Sequence, residues 1–248
     1  MEERKIIIPG ETIVHGDEFL PGDGARREGQ DIVACKYGLS DVNDKLVRVI
    51  PLSGVYVPRR GNVIIGTVVG VTFKGWLIDF GSHINGFLNV TEVPRYIGRG
   101  ELRDHFDFGD VVCAKVFGTD GGNVDLSVKL RGFGRIQGGQ LIKVNPNKVP
   151  RVIGKEGSMV SLIKAATNCD ITVGQNGVIW VVGDKIEDEL NARKITEFIC
   201  ENSFLSGLTE KVEEYIKNDL KLEIKQTKFE NAEVASENPQ EEQIGEQQ

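Results

Sequence analysis

Hydrophobic and polar residues alternate in short stretches over the first 130 residues, and turns containing glycine or aspartate separate these stretches. A period of two is typical of β-strands that bury one face. In residues 1–58 it predicts five short strands: Lys5–Ile8, Thr12–Val14, Ile32–Tyr37, Lys45–Val49 and Val55–Val57. The segment has no basic cluster and no aromatic platform, so we expect a small β-domain used for packing or docking.

Residues 59–133 are again rich in candidate strands. We predict five of them: Val63–Val71, Gly75–Phe80, Gly86–Val90, Val111–Phe117 and Val124–Lys129. Five strands in about 70 residues suit a small closed barrel of the OB type. A longer loop, Pro94–Phe108, separates the third strand from the fourth, and it carries Arg95, Arg99 and Arg103.

The pattern changes in residues 138–205, where helical and strand periods alternate. It predicts the order β-α-α-β-β-α, with elements at Gln140–Val144, Pro146–Ile153, Gly157–Thr167, Asp170–Val173, Val178–Val182 and Asp184 to about Asn202. Asp184 is the expected N-cap of the last helix. The Asn176-Gly177 pair predicts a tight hairpin turn between the last two strands.

Residues 206–248 divide into two parts. Leu208, Val212, Ile216 and Leu220 recur every four residues, which predicts a short amphipathic helix. From Thr227 onward glutamate and glutamine dominate, and such a composition predicts a disordered acidic tail because it buries too little apolar surface.

Composition agrees with a mainly β protein that contains one α+β domain. The chain has 248 residues and 30 glycines, about 12% against a usual share of about 7%, as expected for many tight turns. No apolar run approaches the ~18 residues of a membrane helix. The charged N-terminus is followed by only three isoleucines before Pro9, too few for a signal-peptide core. We therefore expect a cytoplasmic protein with no membrane contact.

The formal charge of −7 is unevenly distributed. Residues 207–248 hold eleven acidic and five basic residues, so they carry −6, and the remainder is nearly neutral. Within that remainder, residues 129–164 hold eight basic residues and one acidic residue, Glu156. Such a basic belt is either a footprint for phosphates or an ordinary solvated face.

Motifs of catalysis and metal binding are missing from the sequence. The four cysteines lie far apart and form no CxxC pair, and only three histidines occur. Neither an HExxH motif, a GxSxG motif nor a Walker lysine loop is found. We expect buried, reduced thiols, no metal, no cofactor and no enzymatic activity.

The sharpest local motif is Val152-Ile153-Gly154-Lys155-Glu156-Gly157. It places two glycines three residues apart between two predicted helices, and Lys148, Arg151 and Lys155 add positive charge. Together with the β-α-α-β-β-α order, the segment resembles a type I KH domain. That resemblance implies that the Gly154–Gly157 loop clamps the backbone of about four single-stranded nucleotides.

The predicted barrel resembles the S1 RNA-binding domain. The resemblance lies in Gly66-Thr67-Val68, Phe73-Lys74-Gly75-Trp76, Asn85-Gly86-Phe87-Leu88 and Asp125-Leu126-Ser127-Val128-Lys129. It implies base stacking by Phe73 and Trp76, a contact at Asn89, where many members have histidine, and a basic contact at Lys129, with Arg131 close behind. Alternation does not settle whether the two aromatic rings face solvent or the barrel core.

A small β-domain, an S1 domain and one KH domain, in this order, resemble the S1–KH cap subunits of the archaeal exosome. The resemblance covers about residues 5 to 205. It implies a non-catalytic protein, with three copies on a hexameric ring of RNase PH-like subunits, that captures single-stranded RNA. The arginines of the loop after the third barrel strand are candidate contacts at the pore.

Two other functions remain open at this stage. Polynucleotide phosphorylase also combines KH and S1 domains, but in the reverse order and behind two catalytic domains. A free-standing transcription or translation factor built from S1 and KH modules is the second alternative. The transcription-elongation protein of that kind has tandem KH domains of the other topology, whereas this chain has one.

Overall fold

The computed structural model describes residues 5–98, 100–120, 122–205 and 207–222. In that part of the chain, sixteen β-strands and five α-helices follow one another. Fourteen strands precede residue 144, and the four helices of five residues or more come after it. The prediction of a mainly β protein with one α+β domain is confirmed.

The N-terminal segment forms two small sheets. Their strands are β1 (Ile6–Ile7), β2 (Thr12–His15), β3 (Leu20–Pro21), β4 (Ala25–Glu28), β5 (Asp31–Ala34), β6 (Gly38–Asn43) and β7 (Leu46–Pro51). One sheet has the order β1-β6-β7-β3 and the other β2-β5-β4. Ile7, Ala34 and Val49 are buried together and join the two sheets.

One predicted strand of this segment, Val55–Val57, is absent. Val55 and Val57 are exposed while Tyr56 is buried, and its hydroxyl donates a hydrogen bond to Asn62 Oδ1 at 2.9 Å. The alternation therefore predicted correctly which side chains are buried, but no strand in the described part of the chain pairs with the segment. Strands β3, β4 and β6 were not predicted, because β4 in particular is polar along its length.

A closed five-stranded barrel follows. It consists of β8 (Val63–Thr72), β9 (Gly75–Asp79), β10 (Gly86–Asn89), β11 (Val111–Gly118) and β12 (Val124–Ser127). The strands pair in the order β12-β10-β9-β8-β11, and the additional pairing of β11 with β12 closes the barrel. The predicted OB-type barrel is confirmed. A short strand that was not predicted, β13 (Gly134–Ile136), extends the pairing of β11.

The loop between β10 and β11 is anchored to the barrel. It contains a one-turn helix, α1 (Leu102–His105). Ile97, Leu102 and Phe106 are buried in the same cluster as the barrel side chains. The loop arginines are therefore attached to a segment whose apolar residues hold it against the core.

The next segment has the predicted KH order. Its elements are β14 (Gln140–Lys143), α2 (Val149–Ile153), α3 (Ser158–Thr167), β15 (Asp170–Val173), β16 (Val178–Val182) and α4 (Ile186–Glu201). The antiparallel sheet has the order β14-β16-β15. The expected cap at Asp184 is wrong: Lys185 is the N-cap without a side-chain bond, and Glu189 Oε1 accepts a hydrogen bond from the Gly183 N–H at 3.1 Å.

Helix α5 (Leu208–Asn218) completes this core. Leu208, Val212 and Ile216 are buried in the same cluster as the apolar face of α4. The Tyr215 ring stacks on Phe198 with centroids 4.3 Å apart. The predicted amphipathic helix is confirmed, whereas the tail predicted to be disordered from Thr227 lies outside the described residues.

The hairpin turn between β15 and β16 reaches the barrel. The Gln175 N–H donates to Val63 O at 2.8 Å, and Val63 N–H donates to Gln175 Oε1 at 2.5 Å. The turn thus hydrogen-bonds to the first residue of β8. The barrel and the KH segment are joined by side chains as well as by the chain itself.

The cysteines differ in part from expectation. Cys113, Cys169 and Cys200 are buried, but Cys35 is exposed. Burial raises the pKa of Cys113 to about 12 and that of Cys200 to about 11. These two thiols stay protonated near neutral pH, which makes them packing residues rather than nucleophiles.

Candidate nucleic-acid interface

Barrel pairing brings three of the sequence-predicted residues to one end of the barrel. Phe73 lies in the turn between β8 and β9, and Asn89 pairs with Gly75 at the start of β9. A backbone hydrogen bond joins the segment after Asn89 to the segment before Lys129: the Val128 N–H donates to Glu92 O at 3.1 Å. Phe73, Asn89 and Lys129 therefore share one region, which we call the barrel-end surface.

Phe73 is the aromatic platform of the barrel-end surface. Its side chain is 80% exposed. Lys74 Nζ lies 5.4 Å from the centroid of the Phe73 ring. An exposed ring beside a cation offers a face for a base and a charge for its phosphate.

Trp76 is placed differently from the stacking expectation. Its side chain is 0% exposed, and its Nε1–H donates to Phe106 O at 2.8 Å and to Leu102 O at 3.2 Å. A ring without exposed surface cannot stack on a base, so the expected stacking role of Trp76 is wrong. The physical reason is that β9 turns the indole inward, where it anchors the loop carrying α1.

Lys129 and Asn89 are both held by local partners. Lys129 Nζ lies 2.9 Å from Glu92 Oε1, and this hydrogen bond is the main cause that lowers the pKa of Glu92. Asn89 Oδ1 caps a short 3-10 turn by accepting hydrogen bonds from Thr91 N–H and Oγ1–H, both at 3.0 Å. Among the described residues no acceptor bonds the Asn89 amide NH₂, whereas Lys129 is paired with Glu92.

The residues of the basic belt differ in whether an acidic side chain pairs with them. Arg131 is exposed beside Lys129. Arg135, in contrast, pairs with Asp110 at 2.5 Å and donates to His105 O at 2.7 Å. The charge available to a ligand is therefore smaller than the sequence count implies.

The loop arginines have distinct environments. Arg95 donates to His105 Nδ1 at 3.0 Å, and the Arg103 guanidinium lies 6.0 Å from the centroid of the exposed Phe108 ring. Arg99 lies outside the described residues. Burial, followed by the charges of Arg95 and Arg135, lowers the pKa of His105. His105 is therefore neutral at neutral pH and carries its proton on Nε2.

The Gly154–Gly157 loop has the backbone that its glycines permit. Gly154 has a φ of +75° and Gly157 a φ of +79°. A Cβ at Gly154 would lie 2.7 Å from the Met159 nitrogen, so no larger residue fits there, whereas Gly157 faces open space. Glu156 also adopts the left-handed region, with φ +54°. The loop opens directly into the N-terminus of α3.

The three basic residues predicted around this loop are spread along α2. Lys155 and Arg151 are exposed at its C-terminal end. Lys148 lies at the other end of α2 and is half-buried, with its charge acting on the Cys200 thiol. Lys148 is therefore farther from the loop than Arg151 and Lys155, and its contribution to the charge around the loop stays a prediction.

The sequence did not reveal three contacts that shape this region. His105 bonds Arg95, Arg135 pairs with Asp110, and Asn176 bonds the barrel backbone. Only the Asn176-Gly177 signal was available for the last, and it predicted a turn rather than a contact. Among the described residues, no three His, Cys, Asp or Glu side chains gather as around a metal ion. No helix of the described ranges has the length and apolar character needed to cross a membrane.

Comparisons with known proteins agree with this architecture. Residues 139–186 match the KH domain family. The exosome complex component Rrp4 of Methanobrevibacter smithii is 41% identical over 227 residues, covering 90% of this chain and 73% of the relative. The Rrp4 component of Methanothermus fervidus is 39% identical, with 87% and 96% covered.

A solved structure is also similar. It is the crystal structure of a protein described as an exosome complex RNA-binding protein, with a TM-score of 0.61 and 30% sequence identity. The similarity covers 68% of this chain and 98% of the other. The extent and identity of these matches show that the chain belongs to the Rrp4 family of exosome complex components.

Proposed function

We propose that this chain is the non-catalytic RNA-binding cap of an exosome. Three copies sit on a hexameric ring of RNase PH-like subunits, capture single-stranded RNA and pass its 3′ end into the ring for degradation. The observation that carries this proposal is the pairing of an exposed aromatic platform, Phe73, with a Gly154–Gly157 loop on one chain of the Rrp4 family.

RNA capture divides between two kinds of contact. Phe73 stacks on a base without regard to sequence, a contact worth about 1–3 kcal/mol per base. Asn89 and Arg131 supply polar and charged contacts beside it, and Arg95 and Arg103 contact the strand from the loop. Lys129 lies at the same surface but is held by Glu92, which restrains its contact with RNA. Phosphate attraction falls steeply with salt, whereas stacking releases no counterions.

The KH segment contributes a separate backbone clamp. Gly154 and Gly157 let a phosphate approach the loop closely, and the positive end of the α3 dipole follows directly after it. Arg151 and Lys155 add charge, while Glu156 opposes it. The loop therefore binds RNA without base preference and more weakly than a loop lacking the acid.

Residues 1–58 attach the cap to the ring. Leu20 and Leu46 are exposed and directly opposite each other on β3 and β7. Two leucines side by side on an open sheet face offer apolar surface for a protein partner. Ile6 and Ile8 extend the exposed apolar surface of this segment.

Co-purification tests the attachment. The full chain is expected to co-elute with an RNase PH-like ring, and Leu20→Asp/Leu46→Asp to lose co-elution while keeping its RNA affinity. Ile186→Asp, at an exposed apolar residue of α4, is the matched control and retains co-elution. Pull-down of ribosomes or RNA polymerase instead of ring subunits would favour a free-standing factor.

Activity assays test the non-catalytic role. The purified chain is expected to leave RNA intact with magnesium and phosphate present, and to lower the RNA concentration at which an added ring reaches half its maximal rate. Degradation by the chain alone would refute the proposal.

A further inference from the structure

A cleft of about 370 Å³ lies between the α1 loop and the segment that follows β12. Its apolar lining comes from Phe106, Val128 and Phe133, of which the first two are only 2% exposed and Phe133 is half-buried. Arg95 and Arg135 also line the cleft. Clefts that bind small ligands measure about 300–1,000 Å³ and combine apolar walls with a few polar groups. This cleft has the size and the lining to hold a single nucleotide.

Arg95 keeps its full charge at this cleft. Its guanidinium is oriented by His105 Nδ1 at 3.0 Å, and among the described residues it has no carboxylate partner within ion-pair distance. Because burial and the two arginines lower the pKa of His105, the imidazole that holds Arg95 is neutral. Arg95 is thus positioned without being neutralised, unlike Lys129, which Glu92 neutralises.

Arg135 contacts the backbone of His105. It donates to His105 O at 2.7 Å and pairs with Asp110 at 2.5 Å. The Asp104 carboxylate also lines the cleft. The cleft therefore offers one unneutralised cation for a phosphate and one acceptor for an amino or hydroxyl group.

The cleft adjoins the barrel-end surface. Val128, in its wall, directly precedes Lys129, and Pro94, also in its wall, lies two residues after Glu92. The Val128 N–H bond to Glu92 O holds the two segments side by side. The cleft therefore lies next to the barrel-end surface.

We infer that this cleft holds one nucleotide of the bound single-stranded RNA, with its base against Phe133 and its phosphate on Arg95. The inference rests on the proposed RNA-binding function and adds a site to it. It predicts one phosphate contact and one base contact beyond the barrel-end surface.

Fluorescence anisotropy with the full chain and a labelled single-stranded RNA tests this site. Arg95→Ala should reduce the slope of log affinity against log salt by about 0.7, the value for one single-strand phosphate. Phe133→Leu, which preserves apolar filling, should weaken binding about fivefold through lost stacking without changing the slope.

Arg60→Ala is the matched control, because Arg60 is also exposed and lies 5.9 Å from the Phe117 ring centroid, outside the cleft. It should preserve both affinity and slope. The two tryptophan indoles add a local readout in nuclear magnetic resonance. RNA should shift the Trp76 resonance, since its ring lies 5.8 Å from that of His105, and the shift should be lost in Arg95→Ala.

The outcomes separate this inference from the proposed function. If the parent chain binds RNA but Arg95→Ala and Phe133→Leu match Arg60→Ala, the cleft assignment is overturned and the RNA-binding role stands. If the parent chain binds no RNA, the cleft assignment and the proposed RNA-binding function are both overturned. If uridine or adenosine monophosphate shifts Trp76 as strongly as the oligonucleotide at equal concentration, the cleft is a free-nucleotide site and the strand assignment is overturned.

Discussion

The side-chain amide of Asn176 hydrogen-bonds to both backbone groups of Ile65. Asn176 Oδ1 accepts from the Ile65 N–H at 3.2 Å, and Nδ2 donates to Ile65 O at 2.8 Å and to Phe80 O at 2.9 Å. Asn176 is buried, so a turn residue of the KH segment satisfies backbone groups of β8 and of Phe80, the residue that follows β9. This contact holds the turn between β15 and β16 against the barrel.

Asn176→Asp should destabilise the chain strongly. A carboxylate cannot donate to Ile65 O or Phe80 O, and burying its charge adds to the loss. We expect the free energy of unfolding to fall by about 2–4 kcal/mol in urea titrations. The same change at Asn123, in an exposed turn, should cost less than about 0.5 kcal/mol. Equal losses of stability at the two positions would contradict the role of Asn176 in joining the KH segment to the barrel.

Phe73 and Trp76 should respond oppositely to substitution. Phe73→Ala should weaken single-stranded RNA binding about tenfold and change the stability by less than about 0.5 kcal/mol. Trp76→Phe should preserve RNA affinity but lower the stability by about 1–3 kcal/mol, because Phe106 O loses its donor. Anisotropy and urea unfolding measure the two quantities. Loss of RNA affinity in folded Trp76→Phe would restore a direct role for the indole.

Glu92 should restrain RNA binding by occupying Lys129. Because its pKa is lowered by the Lys129 hydrogen bond, Glu92 is ionised at neutral pH and the pair is intact. Glu92→Gln should free the ammonium group and raise the salt slope of RNA binding by about 0.7. Adding Lys129→Gln should cancel the gain. A gain that survives the second substitution would assign the effect to general charge rather than to this pair.

Glu156 combines an unfavourable backbone with an unfavourable charge. Asparagine tolerates the left-handed region better than glutamate, so Glu156→Asn should raise the free energy of unfolding by roughly 0.5 kcal/mol and strengthen RNA binding about twofold at low salt. Glu156→Gln removes the charge but keeps the strained backbone. It should therefore strengthen RNA binding without changing the free energy of unfolding. Unchanged affinity in both variants would indicate that RNA does not contact this loop.

His105 should make stability depend on pH. Its pKa is lowered in the folded chain, chiefly by burial, while the unfolded chain takes up a proton near 6.5. The free energy of unfolding should therefore fall as the pH drops below about 6.5 and level off below the folded pKa. Urea titrations at several pH values should show this fall in the parent and in His83→Gln, but less of it in His105→Gln. Identical profiles in all three would contradict the assignment.

Much of the fold follows from local patterns. The barrel strands and the β-α-α-β-β-α order were predicted because apolar periodicity, glycine turns and the Asn176-Gly177 pair act over a few residues. Prediction failed where periodicity was insufficient. Val55–Val57 alternates, but none of the strands that the structure describes pairs with it. Ala25–Glu28 pairs with Asp31–Ala34 despite its polar sequence.

The site was predicted less completely. Phe73 was placed correctly at a turn, where no strand packs over it. Trp76 lies in an unbroken apolar run, Trp76-Leu77-Ile78. Such a run does not alternate, so it does not predict whether the indole faces the core or the solvent. Lys148 and Lys129 were counted as free charges, but burial beside α4 and the Glu92 pair reduce what they offer.

The sequence by itself determined the succession of domains, the Gly154–Gly157 loop and the basic belt, because each depends on residue types at short spacing. Only the tertiary structure decided which face Trp76 takes, which cations remain unpaired, and how Asn176 joins the KH segment to the barrel. These depend on contacts between residues far apart in sequence; Asn176 and Ile65 are 111 positions apart. Such contacts follow from strand register and packing, which no local pattern encodes.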